Sequence, residues 1–105
     1  MIKVVVAYID QDAFGAIRQE LLEIGIESLS VMDSGGASLD KFVAPHFRGS
    51  PHTQGLQGKL RLEVVVGDSL VDQVREIVFR NETRRSFMFV GNVEHAYPEN
   101  LVKTD

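Results

Sequence analysis

The sequence predicts an α+β fold: a four-stranded antiparallel sheet with two helices on one face. Three observations predict it. Four segments rich in β-branched and aromatic residues alternate with two helical periodicities, in the order strand, helix, strand, strand, helix, strand. The two strand–helix–strand halves, Ile2 to Asp33 and Lys59 to Val90, are each about thirty residues, the size of one crossover unit. Right-handed crossovers then place both helices on the same face. The 105 residues fit one domain, residues 1–105, and 44% hydrophobic with 25% charged residues is ordinary globular usage.

The first strand is read over Ile2 to Ile9, where Ile2, Val4, Val5 and Val6 supply strand chemistry. One face carries Ile2, Val4, Val6 and Tyr8, the other Lys3, Val5, Ala7 and Ile9. Both faces are largely apolar, so this strand is expected at the centre of the sheet. A helix follows, with Asp10 or Asp12 as its cap and Phe14, Ile17, Leu21 and Ile24 at three- and four-residue steps. Gly25 stands where helices commonly end in a left-handed residue. Ile26 to Asp33 reads as the second strand, and Lys59 to Val66, with Leu60, Leu62, Val64 and Val66 on one side, as the third. Asp68 or Ser69 is expected to cap a second helix whose apolar stripe is Leu70, Val71, Val74, Ile77 and Val78, with Asn81 as terminator. Ser86 to Val90 is the fourth strand, and a tail runs from Gly91 to Asp105. This order is that of the ferredoxin-like fold. A sheet apolar on both faces needs a second cover, and oligomerisation supplies the simplest one.

Composition narrows the function. A net charge of −4 argues against a general electrostatic grip on nucleic acid. The absence of cysteine removes disulfides, thiol catalysis and Cys-ligated zinc. No apolar run approaches the roughly 20 residues of a membrane helix, and acidic residues follow the first strand too soon for a signal peptide. A cytoplasmic protein is expected. No Ser/His/Asp order, carboxylate pair or phosphate-cradling motif appears, Glu63 and Asp68 read as isolated, and no enzyme is expected. Asn81-Glu82-Thr83 matches a glycosylation acceptor that has no meaning in a cytoplasmic chain.

The segment between strands two and three, Ser34 to Gly58, holds five of the nine glycines, two of the three prolines and two of the three histidines. Strands joined as a hairpin need about two to five residues. A segment this long in a compact domain is usually functional or disordered, although loop-closure cost grows slowly enough to tolerate an insertion. Gly35 and Gly36 let backbone N–H groups approach an anion, or simply free the chain as it leaves the strand. Ser38 and Lys41 offer a hydroxyl and an ammonium to a phosphate, or are solvated polarity. Arg48 offers bidentate phosphate recognition. His46 and His52, with Asp40, are a weak metal or pH-sensing set and are read first as ordinary histidines.

Several stretches together resemble the PII family of nitrogen-regulatory signalling proteins. Leu21 to Asp33 (LLEIGIESLSVMD) is similar to that family's end of helix one and second strand. Phe47, Arg48 and Gly49 resemble its Tyr-Arg-Gly within a loop of similar length, Lys59 to Asp68 (KLRLEVVVGD) its third strand and turn, and Val93 to Ala96 (VEHA) its Val-Glu-x-Ala. The resemblance covers nearly the whole chain. It implies a ferredoxin-like homotrimer whose sheets pack around the threefold axis. It implies nucleotide clefts between subunits, and a T-loop, here about 34–58, that contacts protein targets when effectors bind. Adenine nucleotides, or 2-oxoglutarate with Mg-ATP, are the family's effectors.

The departures carry equal weight. The family's Gly-rich phosphate loop, ending in Gly-Lys, is replaced by RNETRRSFMFV (Arg80 to Val90), about four residues shorter and without glycine or lysine. The arginines expected after the last strand are absent from Ala96 to Asn100. His52 stands at the uridylylated tyrosine and Asp40 at the glutamine that helps hold Mg and 2-oxoglutarate. The resemblance therefore implies neither uridylylation at that position nor the usual Mg-ATP/2-oxoglutarate site. Lys59 matches the lysine that pairs with 2-oxoglutarate. Arg80, Arg84 and Arg85 form the one basic cluster. Arg84 and Arg85 either replace the missing loop and hold a mono- or diphosphate, or form an exposed basic turn partly offset by Glu82.

The expected function is a PII-like regulator. It binds a small anionic effector, an adenine nucleotide first, through Gly35, Gly36, Ser38, Lys41, Arg48, Lys59, Arg84 and Arg85. It would act on a transporter or a metabolic enzyme, require no cofactor, and insert into no membrane. The alternative is a trimer resembling the CutA proteins, which share the fold and are linked to divalent metals. Those proteins lack a Gly-rich segment of this length between strands two and three.

Overall fold

A computed structural model describes residues 1–34, 59–81 and 86–105. Strand β1 (Ile2–Asp10) leads into helix α1 (Gln11–Glu23). Strands β2 (Ser30–Ser34) and β3 (Lys59–Gly67) follow. A 3-10 turn over Asp68–Leu70 then runs into helix α2 (Val71–Asn81). Strand β4 (Phe87–Val93) and a 3-10 turn over Glu99–Leu101 complete the described chain. The sheet order is β2-β3-β1-β4 with every neighbouring pair antiparallel, the ferredoxin-like arrangement that the sequence predicts.

Register and strand parity sort the side chains. β1 pairs with β3 from Ile2 opposite Gly67 to Asp10 opposite Lys59. It pairs with β4 from Ile2 opposite Val93 to Tyr8 opposite Phe87. Directly opposed residues share a face. Val5, Ala7 and Ile9 therefore line up with Leu60, Leu62, Val64 and Val66, and both helices pack on that surface through Ile17, Leu21, Val74, Ile77 and Val78. Burying each of these side chains is worth about 1.5–3 kcal/mol, which holds the helices to the sheet without help from their caps. The other face carries Val4, Val6, Tyr8, Val65, Met32, Phe87 and Phe89, and among the described residues no helix lies over it.

Two boundaries differ from the sequence reading by more than a residue, and two caps differ as well. β2 begins at Ser30 rather than Ile26, because Ile26 is spent on closing α1 and is buried there. β4 runs on through Gly91 to Val93, paired with β1 to its first residue, so the tail starts later. Asp10 occupies the N-cap position of α1 without a side-chain capping hydrogen bond. Ser69 donates its hydroxyl proton to the Thr104 carbonyl (2.9 Å), and no side chain caps the turn that opens α2. Capping was expected of these residues from their chemistry; tertiary partners claim Asp10 and Ser69 instead.

The end of α1 is built as anticipated. Gly25 has φ of 96°, its N–H donates to Leu22 O (2.9 Å), and the Ile26 N–H donates to Leu21 O (3.0 Å). This pair of bonds is the Schellman closure, which satisfies carbonyls the helix leaves open. The Lys103 side chain crosses this turn: a Cβ on residue 25 would lie 2.8 Å from its Cε. Residue 103 is itself tied to the end of β3, its carbonyl accepting the Gly67 N–H at 2.8 Å. Between the helices, Arg80 and Asn81 of α2 both donate hydrogen bonds to the Glu20 carboxylate of α1, and Asn81 also donates to Ile77 O. Arg80 chiefly, then Asn81, holds the Glu20 carboxyl below its ordinary 4.5.

Gly25→Ala is expected to cost about 1–2 kcal/mol, the cost of a left-handed residue with a Cβ. It should appear as a lower urea midpoint at unchanged slope; an unchanged midpoint would contradict the reading of this turn. The Glu20 interaction has a defined pH sign. Because the folded-state pKa lies below that of the unfolded chain, its contribution is present above about pH 4.5 and is lost as pH falls through the folded value. The stability difference between the parent and Glu20→Gln should therefore be constant near neutrality and shrink in acid. A difference that stays the same from neutral pH into acid would refute the assignment.

Candidate functional site at one end of the sheet

Four strand termini and a helix start converge at one end of the sheet. β1 finishes at Asp10, where α1 begins; β2 finishes at Ser34, β3 starts at Lys59 and β4 starts at Phe87. The register sets Asp10 and Ser34 on either side of Lys59, and Phe87 beside Tyr8. Residues 34 and 59, which flank the glycine-rich segment, thus face each other as a strand pair. The strand that follows residues 82–85 opens at the same end.

At the centre of this end is an ion pair. Lys59 Nζ lies 3.1 Å from Asp10 Oδ1, with side chains only 21% and 16% exposed. Opposed positions in an antiparallel pair bring Cβ atoms to about 4.5–5.5 Å, so strand register alone delivers the carboxylate to the ammonium. This is why Asp10 does not cap α1. Both side chains are less exposed than those of an ordinary surface pair, and charges screened less by water attract more strongly at a given distance.

Next to it, on the face without helices, lie a second cation and an aromatic row. Arg61 stands opposite both Tyr8 and Met32, with Nη2 at 3.6 Å from Glu63 Oε2; Glu63 is therefore not isolated. The ring centroids of Tyr8 and Phe87 are 6.3 Å apart, and those of Phe87 and Phe89 5.9 Å. Cations beside aromatic faces suit recognition of anions and planar groups. Among the described residues no group of three or more His, Asp or Glu side chains is placed to hold a metal ion, and no helix is long and apolar enough to cross a membrane.

Of the residues singled out in the sequence, Lys59 is at this end, engaged by Asp10. Arg80 is bound to Glu20 and so is not a free member of a basic cluster. Gly35, Gly36, Ser38, Lys41, Arg48, Arg84 and Arg85, together with Asp40, His46 and His52, lie outside the described residues. Sequence reasoning missed Asp10 as a charge partner and Arg61, Tyr8 and Phe87 as neighbours. The signal was incomplete: the sequence reads β1 as Ile2 to Ile9 and β3 as Lys59 to Val66, and pairing those ends sets residue 9 against residue 59; the extra residue at the end of each strand brings Asp10 across instead.

No family model matches the chain. Individual relatives do. A nitrogen regulatory protein P-II of Haemophilus influenzae is 31% identical over 84 residues, covering 76% of this chain and 75% of that protein. A nitrogen regulatory protein P-II of Rhizobium etli is 27% identical over 107 aligned positions, covering 98% of this chain and 96% of its own. Nitrogen regulatory protein GlnK2 of Haloferax mediterranei is 28% identical over 107 positions, covering 98% and 87%. The matches run through both crossover units and the segment that joins them, and the sheet order agrees with the fold that the resemblance implies. The chain belongs to the nitrogen regulatory protein P-II family.

Proposed function

We propose that this protein is a homotrimeric, non-enzymatic regulator that binds a small anionic effector, first among candidates an adenine nucleotide, between its subunits. Effector occupancy changes the conformations available to residues 34–58 and so the affinity for a protein partner, a transporter or a metabolic enzyme. The domain spans residues 1–105. The observation that carries the reading is the match to proteins named nitrogen regulatory over nearly their whole length, including the segment between β2 and β3. Regulation of this kind requires the effector to bind two states with different affinity.

Two structural features support it. The sheet face without helices exposes Met32, Phe87 and Phe89 at 52%, 60% and 43%, a large apolar area for a monomer to leave in water. Packing three such faces around an axis removes it. The convergence of Lys59, Asp10 and the starts of β3 and β4 at one sheet end puts charged groups where residues 35–58 and 82–85 attach. The departures from the family pattern favour an effector other than 2-oxoglutarate with Mg-ATP, with Arg84 and Arg85 taking over phosphate contact from the missing loop.

In light scattering, the parent should have the mass of three 11.7 kDa chains, and Phe89→Asp should give a folded monomer; a monomeric parent would end the trimer reading. In thermal-shift titrations, at least one of ATP, ADP, AMP and cyclic AMP should stabilise the parent. At a hundredfold excess over its dissociation constant a ligand contributes about 2.7 kcal/mol, and Arg84→Ala or Arg85→Ala should reduce the response. Stabilisation by copper or zinc and by none of the nucleotides would replace this reading with a metal-binding one.

A further inference from the structure

We infer that Asp10 is a built-in counter-ion that occupies Lys59 in place of an external anion, so that this carboxylate sets which effectors the sheet end accepts. The inference rests on the reading of that end as the effector site. Asp10 is the last residue of β1 and stands directly opposite Lys59, the first of β3. Its Oδ1 lies 3.1 Å from the ammonium, and both side chains are largely shielded. The carboxylate makes this contact although it sits at the N-cap of α1, where an acceptor would ordinarily bond the first-turn amides, and no such bond is made.

The consequence follows from charge. An anion approaching Lys59 meets an ammonium already neutralised at contact distance and a carboxylate of its own sign beside it. Binding must either displace Asp10 or tolerate a like charge within a few ångströms, in a setting where water screens less than at an open surface. Small dianions that would need Lys59 as their main partner are thereby excluded. An effector that takes most of its contacts elsewhere, and presents an uncharged or planar part to this end, is not. Asp10 thus acts as a specificity-determining residue against compact dianions, and Arg61, on the same strand face two residues on, has its own carboxylate partner in Glu63.

Asn and Ser are both favoured at N-caps, so Asp10→Asn and Asp10→Ser should fold and can each serve in the test. Calorimetric titration with inorganic pyrophosphate, and separately with succinate, is carried out on the parent, the two Asp10 variants, and Asp10→Asn combined with Lys59→Gln. Both Asp10 variants should bind at least one dianion more tightly than the parent, by a factor on the order of ten, and the gain should vanish in the double variant. Equal or weaker binding by both folded Asp10 variants overturns the inference, as does a gain that survives loss of Lys59. The outcome is separable from that of the effector reading. A parent that responds to an adenine nucleotide while the Asp10 variants gain nothing defeats only the counter-ion role. A Lys59-dependent gain in a protein indifferent to every nucleotide defeats only the nucleotide.

Discussion

The structure depends on β1 being apolar on both sides. Val5, Ala7 and Ile9 need one cover and Val4, Val6 and Tyr8 need another. A strand of that composition is stable only between two neighbours and between two layers. β3 and β4 supply the neighbours. The helices supply one layer, through an interface in which Ile9, Ile17, Leu21, Val66 and Val78 are fully buried. The remaining layer has no source among the described residues, and the pressure to find one shapes how the protein is expected to assemble.

Much of this was legible in the sequence because the signals were local or periodic. Alternation in Lys59 to Val66 gave β3 and its core face correctly, and the three- and four-residue steps in α1 and α2 gave their buried stripes. Gly25 was readable because one backbone conformation at a helix end favours one residue type so strongly. What failed was whatever depended on competition between partners. Asp10 and Ser69 are both sound capping residues, yet a lysine across the sheet takes the first and a carbonyl in the last segment takes the second. Capping preference is worth only about 1 kcal/mol, little enough that a partner brought in by the tertiary fold can displace it.

The site was legible in part for the same reason. Lys59 drew attention by its match to the lysine that pairs with 2-oxoglutarate in the family it resembles, but the carboxylate it meets is almost fifty positions earlier, and only the antiparallel pairing of β1 with β3 brings them together. Arg80 looked like a member of a basic cluster because Arg84 and Arg85 follow within five positions; in the fold its partner is on the adjacent helix, where it meets Glu20. Charge proximity in sequence was therefore a poor guide to charge proximity in the fold.

The sheet order has a bearing on biosynthesis. β1 leaves the ribosome before the other three strands of this sheet, yet its hydrogen-bonded neighbours begin at Lys59 and Phe87. Pairings so distant along the chain delay closure and slow folding relative to helical proteins of the same size. Until they form, the run from Val4 to Val6 is an unpaired, uncharged, β-branched stretch, the kind that seeks any free strand edge. Lys3 and Asp10 bracket that run with charge, and gatekeeper residues of this sort discourage intermolecular pairing while the nascent chain waits for its partners.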